Sequence, residues 1–336
     1  MNGCEESTGG ACRQGGCRTG AAADGDAVTA TPLLHIGFFK TASSWLQRYL
    51  FTPPFGYQHV VDAFALQSLL VGPSREAFDT SSARDRLLPT ARAIAAEGRV
   101  PVVSSEALSG DLLRGGRNRW QNADRLRQVF PRARTLLIAR EQGDLLRSLY
   151  KTLVLWGSTD PVSRMVSDAA RGRGFDPAQL EFHALARHYA GLYGPQAVLV
   201  LPYELFRERP AVFLGYLYRH CGLDTPDPAL VEQLPLKDVV NPGEPLAFLH
   251  LQRWLNRLSF TSHRDYAGLR DNNSFERVLK RIAWHRRHAR GTMFDAALEA
   301  RFARQVNERL VGRFAASNRE LQRFCPVSLD EFGYQC

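Results

Sequence analysis

The first group of side chains that could do chemistry in this 336-residue sequence is Lys40-Thr41-Ala42-Ser43-Ser44-Trp45. It follows the apolar run Leu33-Leu34-His35-Ile36-Gly37-Phe38, which is typical of a buried strand. Hydroxyls, backbone amides and one ammonium at the start of a helix form an anion site, and phosphate is its natural ligand. The alternative is that Thr41, Ser43 and Ser44 only cap the helix.

Arg140 and Ser148 form the second group. Arg140 follows the apolar run Thr135-Leu136-Leu137-Ile138-Ala139, and Ser148 comes eight positions later in a helix predicted to start at Asp144. A guanidinium at a strand end can bind phosphate through two hydrogen bonds, and a hydroxyl adds a directional donor. The alternative is a surface ion pair between Arg140 and Asp144 or Glu141.

Glu106 is the candidate general base. It follows the apolar run Val100-Pro101-Val102-Val103 and the turn Ser104-Ser105. A carboxylate at a strand end can take a proton from a substrate. The alternatives are that Glu106 caps the next helix or pairs with Lys40 or Arg140.

The elements that must position these groups alternate between strands and helices. Strands are predicted at 33–38, 100–103, 135–139 and 197–201. Helices are predicted at 144–156, 210–221, 246–258 and 294–324, with a basic helical stretch at 277–290. This alternation predicts an α/β protein, a single domain over 31–336 with a central parallel sheet flanked by helices. Ligands of such sheets bind beyond the carboxyl ends of the strands, so the three groups are expected in one crevice.

Composition narrows the class of protein. Residues 1–30 are rich in Gly, Ala, Ser and Asp and lack apolar periodicity, so a disordered leader is predicted there. The sequence has neither a long apolar run nor a secretory signal pattern, which predicts a cytoplasmic protein without a transmembrane segment. Basic residues outnumber acidic ones by 43 to 34, which favours anionic ligands. The arginines are scattered among acids and form no nucleic-acid motif, so no nucleic-acid partner is expected.

Histidines and cysteines give no indication of a bound metal. The six cysteines form no paired CxxC pattern, and a cytoplasmic chain would keep them reduced. His59, in a loop after Pro54 and Gly56, is the second choice for the base, and His35, inside a buried strand, is interpreted as a core histidine. We therefore assign no metal.

The first group resembles the 5'-phosphosulfate loop of sulfotransferases that use 3'-phosphoadenosine 5'-phosphosulfate (PAPS). That loop usually reads Pro-Lys-Ser/Thr-Gly-Thr/Ser-Thr/Ser-Trp, and this chain has Phe39-Lys40-Thr41-Ala42-Ser43-Ser44-Trp45. Phe39 replaces the proline and Ala42 replaces the glycine, so the match is weakest in the backbone at Ala42. A Walker loop fits less well, because only two residues separate Gly37 from Lys40.

The resemblance implies a role for each residue of the loop. Lys40 would contact the bridging oxygen of the leaving group, and Trp45 would stack near the adenine. The residues around the 5'-phosphate would be Thr41, Ala42, Ser43 and Ser44. A tryptophan on the first turn of an amphipathic helix is otherwise a core residue.

The resemblance extends beyond the loop. Sulfotransferases bind the 3'-phosphate through an Arg and a Ser eight residues apart, the separation of Arg140 and Ser148, and they place a His or Glu base where Glu106 stands. Tyr203 in Leu201-Pro202-Tyr203-Glu204 would lie near the adenine. Weaker similarities lie in Val240-Asn241, Arg253-Trp254-Leu255-Asn256-Arg257, Ser317-Asn318-Arg319 and Phe332-Gly333-Tyr334, with Arg290-Gly291 as a candidate late phosphate loop.

Together these features predict a sulfotransferase with the P-loop NTPase-like fold of that family. PAPS would be the co-substrate, no metal would take part, and the acceptor would be a hydroxyl or amine of a carbohydrate, lipid or small molecule. Two alternatives stay open: a P-loop-like kinase or NTPase, and a non-catalytic nucleotide-binding protein on the same fold.

Overall fold

The computed structural model describes residues 31–112, 115–166, 175–236, 245–257 and 293–336. Four sequence predictions lie outside these residues: the leader at 1–30, the pair Val240-Asn241, the basic stretch at 277–290 and the pair Arg290-Gly291. The domain boundary at residue 30 and the cytoplasmic location therefore stay predictions. Among the described residues, no helix combines the length and apolar character needed to cross a bilayer.

The strands of the described chain form one sheet. They are β1 (Leu33–Gly37), β2 (Tyr57–His59), β3 (Val100–Ser104), β4 (Arg134–Ala139) and β5 (Val198–Pro202). Their order is β2-β3-β1-β4-β5, and every neighbouring pair is parallel. Every residue of β1, β3 and β5 is buried, as expected for strands covered on both faces. The predicted α/β class, with a central parallel sheet flanked by helices, is confirmed.

Helices surround this sheet. The described ones are α1 (Ser43–Trp45), α2 (Ala63–Leu66), α3 (Thr80–Ala96), α4 (Arg119–Val129), α5 (Gln142–Leu155), α6 (Val162–Met165), α7 (Phe182–Tyr193), α8 (Tyr203–Glu208), α9 (Pro210–Cys221), α10 (Pro228–Glu232), α11 (Leu246–Leu255), α12 (Met293–Leu310) and α13 (Ala315–Leu321). Two of them continue as π-helical turns, α1 through Leu46–Leu50 and α2 through Gln67–Val71. Short 3₁₀ turns lie at Pro53–Phe55, Glu106–Ser109, Pro177–Leu180, Pro195–Ala197, Gln322–Phe324 and Asp330–Phe332.

The observed elements differ from the sequence prediction in several places, and the helices α3, α4 and α7 were not predicted. The edge strand β2 was not predicted. The single helix predicted at 294–324 was wrong, because the structure has α12 and α13 there with a break between them. Gly312 lies in that break with a φ of 69°, a left-handed conformation that ends a helix.

The topology places a crevice beside β1. The chain builds β2 and β3 on one side of β1 and then crosses over to build β4 and β5 on the other, so the strand order reverses at β1. Such a switch point opens a ligand crevice at the carboxyl ends of the strands. Gly37 ends β1 there with a φ of 88°, and a Cβ at this position would lie 3.0 Å from the Cα of Glu106. Glycine therefore lets the segment after β3 approach the loop after β1.

Candidate active site

The loop between β1 and α1 turns sharply through two non-glycine residues in the left-handed region. Lys40 has a φ of 64° and Ala42 a φ of 63°. The Ala42 carbonyl then starts the helix by accepting hydrogen bonds from the amides of Trp45 at 2.9 Å and Leu46 at 3.0 Å. Left-handed alanine is sterically strained, and such strain concentrates at functional sites.

The hydroxyls of this loop have different roles. The Thr41 side chain is fully buried, and its Oγ1 donates to the carbonyl of Phe38 at 2.6 Å. The Ser43 Oγ donates to the same carbonyl at 3.2 Å, whereas Ser44 is exposed. Thr41 therefore holds the turn from inside, and Ser44 is free to face a ligand.

A cavity of about 810 Å³ lies at the carboxyl ends of β1, β3, β4 and β5. Thr41 does not line it, but the other sequence-predicted site residues do: Lys40, Ala42, Ser43, Ser44, Trp45, Glu106, Arg140, Ser148 and Tyr203. The structure thus brings together side chains from four strand ends.

The Arg140 side chain connects two of these strand ends. Its Nη1 donates to the backbone carbonyl of Lys40 at 3.0 Å, and its guanidinium carbon lies 4.8 Å from the centre of the Tyr203 ring. A guanidinium over a tyrosine face is an attractive cation–π arrangement. The Nε of Arg140 is buried without a hydrogen-bond partner in the described chain. Arg140 therefore braces the loop of Lys40 and keeps donor capacity for a ligand.

The surface ion pair considered for Arg140 is not formed. The Asp144 carboxylate pairs with Arg147. The Glu141 carboxylate caps α5 by accepting the amides of Gly143 at 2.8 Å and Asp144 at 2.7 Å. Both acids are thus engaged within the first turns of α5.

The opposite charges of Lys40 and Glu106, which both line the cavity, influence each other's pKa. Burial lowers the pKa of Lys40, the Glu106 carboxylate raises it, and the Arg140 charge lowers it. Burial raises the pKa of Glu106, whereas Lys40 and the nearby Ser43 hydroxyl lower it. Burial is the largest cause for both groups, so the pKa of Lys40 is lowered and the pKa of Glu106 is raised.

Glu106 is not the cap of the turn that follows it. The cap of the 3₁₀ turn Glu106–Ser109 is Ser105, whose Oγ accepts the amide of Ala107 at 3.2 Å. The Glu106 carboxylate is thereby left to face Lys40 and Ser43.

Trp45 belongs both to the core and to the cavity wall. Its side chain is only 3% exposed, and its Nε1 donates to the carbonyl of Pro235 at 3.0 Å. The ring packs against Phe206, with ring centres 4.8 Å apart. Trp45 and Phe206 both line the cavity, so they give it an aromatic wall.

Sequence reasoning missed one face of α5. The polar cavity-lining residues of α5 recur at the i, i+3, i+4, i+7 and i+8 positions: Asp144, Arg147, Ser148, Lys151 and Thr152. This spacing was readable, because such positions share one side of a helix. Glu299 of α12 and Arg207 of α8 also line the cavity, and Glu299 accepts from the Lys151 ammonium at 2.5 Å.

The two histidines considered above lie away from this cavity. His35 is fully buried, its Nδ1 lies 2.7 Å from the Ser104 Oγ, and burial lowers its pKa to about 3. His59 has its Nε2 3.2 Å from the carbonyl of Gln47. It lines a separate cavity of about 520 Å³ with Gln47 and Ser104. Neither histidine lines the cavity of Lys40.

In the part of the chain that the structure describes, no three His, Cys, Asp or Glu side chains are grouped so that they could hold a metal ion.

Comparisons with known proteins found distant structural likeness only. No protein-family model matches the chain, and no curated protein matches it. A sulfotransferase from Alicyclobacillus acidocaldarius is similar at a TM-score of 0.42 and 18% identity, over 66% of this chain and 92% of that one. The sulfotransferase domain of the Synechococcus PCC 7002 olefin synthase is similar at a TM-score of 0.35 and 15% identity, over 68% of this chain and 94% of that one. At these scores, neither likeness says what this chain binds or does.

Proposed function

We propose that this chain is a sulfotransferase that moves a sulfuryl group from PAPS to a hydroxyl or amine of a carbohydrate, lipid or small-molecule acceptor. The observation that carries the proposal is that Lys40 and Arg140, which leave the adjacent strands β1 and β4, line one cavity with Glu106 from the end of β3. Two cations and a partly buried carboxylate at one switch point suit a doubly phosphorylated nucleotide beside a general base.

The charge balance of the cavity favours a polyanion. Its cations are Lys40, Arg140, Arg147, Lys151 and Arg207, and its acids are Glu106, Asp144 and Glu299. Asp144 and Glu299 are neutralised by ion pairs with Arg147 and Lys151. Three cations are left facing one carboxylate, an excess that the phosphates of a nucleoside bisphosphate would balance.

The loop after β1 suits the 5'-phosphosulfate end. The described chain offers no acceptor to the backbone amides of residues 40–44, and these amides lie at the start of α1. Amides in that position bind phosphate and sulfate oxygens. The 3'-phosphate would be bound by Arg140 and Ser148, with Tyr203 and Trp45 as the aromatic groups near the adenine.

On this proposal, the reaction depends on aligning the acceptor with the sulfuryl group and on stabilising the negative charge of the leaving group. It needs no metal-bound intermediate. The acceptor oxygen or nitrogen forms a bond to sulfur while the bond from sulfur to the 5'-phosphate oxygen breaks. Glu106 takes the proton of the acceptor, and the Lys40 ammonium stabilises the negative charge that builds on the departing oxygen. In-line transfer of this kind resembles phosphoryl transfer, in which positioning supplies most of the rate.

The test is transfer to an acceptor. The full chain is incubated with PAPS and a metabolite extract, and mass spectrometry searches for compounds that gain one sulfuryl group. We expect at least one such product, formed by the wild type and far more slowly by Lys40→Ala. Binding of adenosine 3',5'-bisphosphate without any product would favour a non-catalytic nucleotide-binding protein. Tighter binding of ATP with magnesium would favour a kinase or NTPase.

A further inference from the structure

A buried carboxylate lies directly behind the Arg140 side of the cavity. Glu204 is in the first turn of α8 and is 8% exposed. Its Oε1 accepts the backbone amide of Glu141 at 3.1 Å, and its Oε2 accepts the hydroxyl of Tyr334 at 3.2 Å. Both oxygens are thus bound, as a buried charge requires.

The hydrogen bond to the Glu141 amide fixes the backbone of the phosphate site. That amide belongs to the peptide bond that joins Arg140 to Glu141. The Glu141 carboxylate caps α5 in turn, and Ser148 of α5 lines the cavity. Glu204 therefore restrains the short segment between the two proposed 3'-phosphate ligands.

Glu204 also acts on the Arg140 charge. Burial lowers the pKa of Arg140, and the nearby Tyr203, Glu204 and Tyr334 raise it. Arg140 has no ion pair in the described chain, so Glu204 offsets part of the cost of burying its guanidinium without contacting it. The carboxylate thus favours the charged guanidinium without occupying any of its hydrogen-bond donors.

The C-terminal segment stabilises this arrangement. Tyr334 is buried and donates to Glu204, and the Asn318 Nδ2 donates to the carbonyl of Gln335 at 2.9 Å. The Gln142 Nε2 of α5 donates to the Asn318 Oδ1 at 2.5 Å. Segments more than 100 residues apart in sequence therefore meet behind Arg140.

We propose that Glu204 is a positioning residue, which holds Arg140 and the start of α5 so that this end of the cavity selects nucleotides with a 3'-phosphate. This role rests on the proposed function. Glu204 touches neither the nucleotide nor the reacting atoms, and its effect passes through the Arg140–Glu141 peptide and the Arg140 charge.

The experiment compares two nucleotides that differ only in the 3'-phosphate. Calorimetry measures the affinity of adenosine 3',5'-bisphosphate and of adenosine 5'-phosphate for the wild type and for Glu204→Gln. The glutamine keeps the size and one acceptor but removes the charge. We expect Glu204→Gln to bind the bisphosphate about tenfold more weakly, the loss of one charge-supported contact, with adenosine 5'-phosphate unchanged within about twofold.

Two further variants separate positioning from a general loss of structure. Tyr334→Phe removes one hydrogen bond but keeps the carboxylate, so its bisphosphate affinity is expected between those of the wild type and Glu204→Gln. Glu208→Gln removes an exposed carboxylate of the same helix and is expected to match the wild type. Equal losses for both nucleotides in Glu204→Gln, or no loss for either, would overturn the positioning role. A wild type that does not prefer the bisphosphate would instead overturn the proposed function.

Discussion

The strained turn at Ala42 gives a prediction whose sign is unusual. Replacing alanine by glycine normally destabilises a protein, because glycine loses more backbone entropy on folding. At a φ of 63°, however, alanine carries a steric cost that glycine does not have. We therefore expect Ala42→Gly to raise the free energy of unfolding.

The magnitude follows from these two opposing effects. The left-handed conformation costs alanine about 1–2 kcal/mol, and glycine loses about 0.5–1 kcal/mol in entropy, which leaves a net gain of about 0.5–1 kcal/mol. With an m value of about 3 kcal/mol/M, the urea midpoint would rise by about 0.2–0.3 M. The Ala42 carbonyl still accepts from Trp45 and Leu46 in the variant, so the start of α1 is preserved.

The assay is urea unfolding followed by circular dichroism, with Ala93→Gly as the matched control. Ala93 is exposed in the helix α3, where glycine is expected to destabilise by about 0.5–1 kcal/mol. The two substitutions are chemically identical and are expected to move the midpoint in opposite directions. A fall in the Ala42→Gly midpoint equal to that of Ala93→Gly would refute the strained turn.

Three other predictions concern the catalytic end of the cavity. Lys40→Ala is expected to lower kcat about 100- to 1,000-fold while calorimetry still detects bisphosphate binding, and an unchanged kcat would remove its leaving-group role. Because burial raises the pKa of Glu106 and only the ionised carboxylate can take a proton, kcat/KM should fall on acidification with an apparent pKa above 4.5. Glu106→Gln should lack this inflection and transfer slowly, so the same inflection in that variant would place the base elsewhere. Gly37→Ala, whose Cβ would lie 3.0 Å from the Cα of Glu106, should destabilise by about 1–3 kcal/mol in urea unfolding, and an unchanged midpoint would contradict that close packing.

The central strands were predictable because strands buried on both faces consist largely of apolar residues. Strands β1, β3, β4 and β5 are rich in apolar residues, and each was predicted within one or two residues of its observed bounds. The edge strand β2 has only three residues, two of which are Gln58 and His59, so no apolar run marks it. Its pairing with β3 depends on tertiary context.

The site was predictable where it lies at strand ends and not where it lies on helix faces. Lys40, Glu106 and Arg140 each follow a predicted strand, so the rule that ligands bind at carboxyl ends located them. Arg147 and Lys151 share a helix face with Ser148, and the helical spacing could have identified them. Charge alone could not show which cations are free to bind a ligand, because pairing with an acid depends on the fold. Glu299, the partner of Lys151, comes from a helix almost 150 residues later.

The direction of individual side chains was beyond the sequence. Thr41 and Ser44 are both small hydroxyl residues of one loop, yet Thr41 is fully buried and Ser44 is exposed. The difference follows from the left-handed backbone conformation of Lys40 and Ala42. This conformation is uncommon for non-glycine residues, so the local sequence did not predict it.

Calorimetric titration with adenosine 3',5'-bisphosphate tests the central claim most directly, because that claim is that Lys40 and Arg140 bind opposite ends of one nucleotide. The wild type should bind the bisphosphate more tightly than ATP with magnesium, and Arg140→Ala should weaken that binding at least about tenfold. Equal affinity of Arg140→Ala and the wild type for the bisphosphate, or a preference of the wild type for ATP with magnesium, would contradict it.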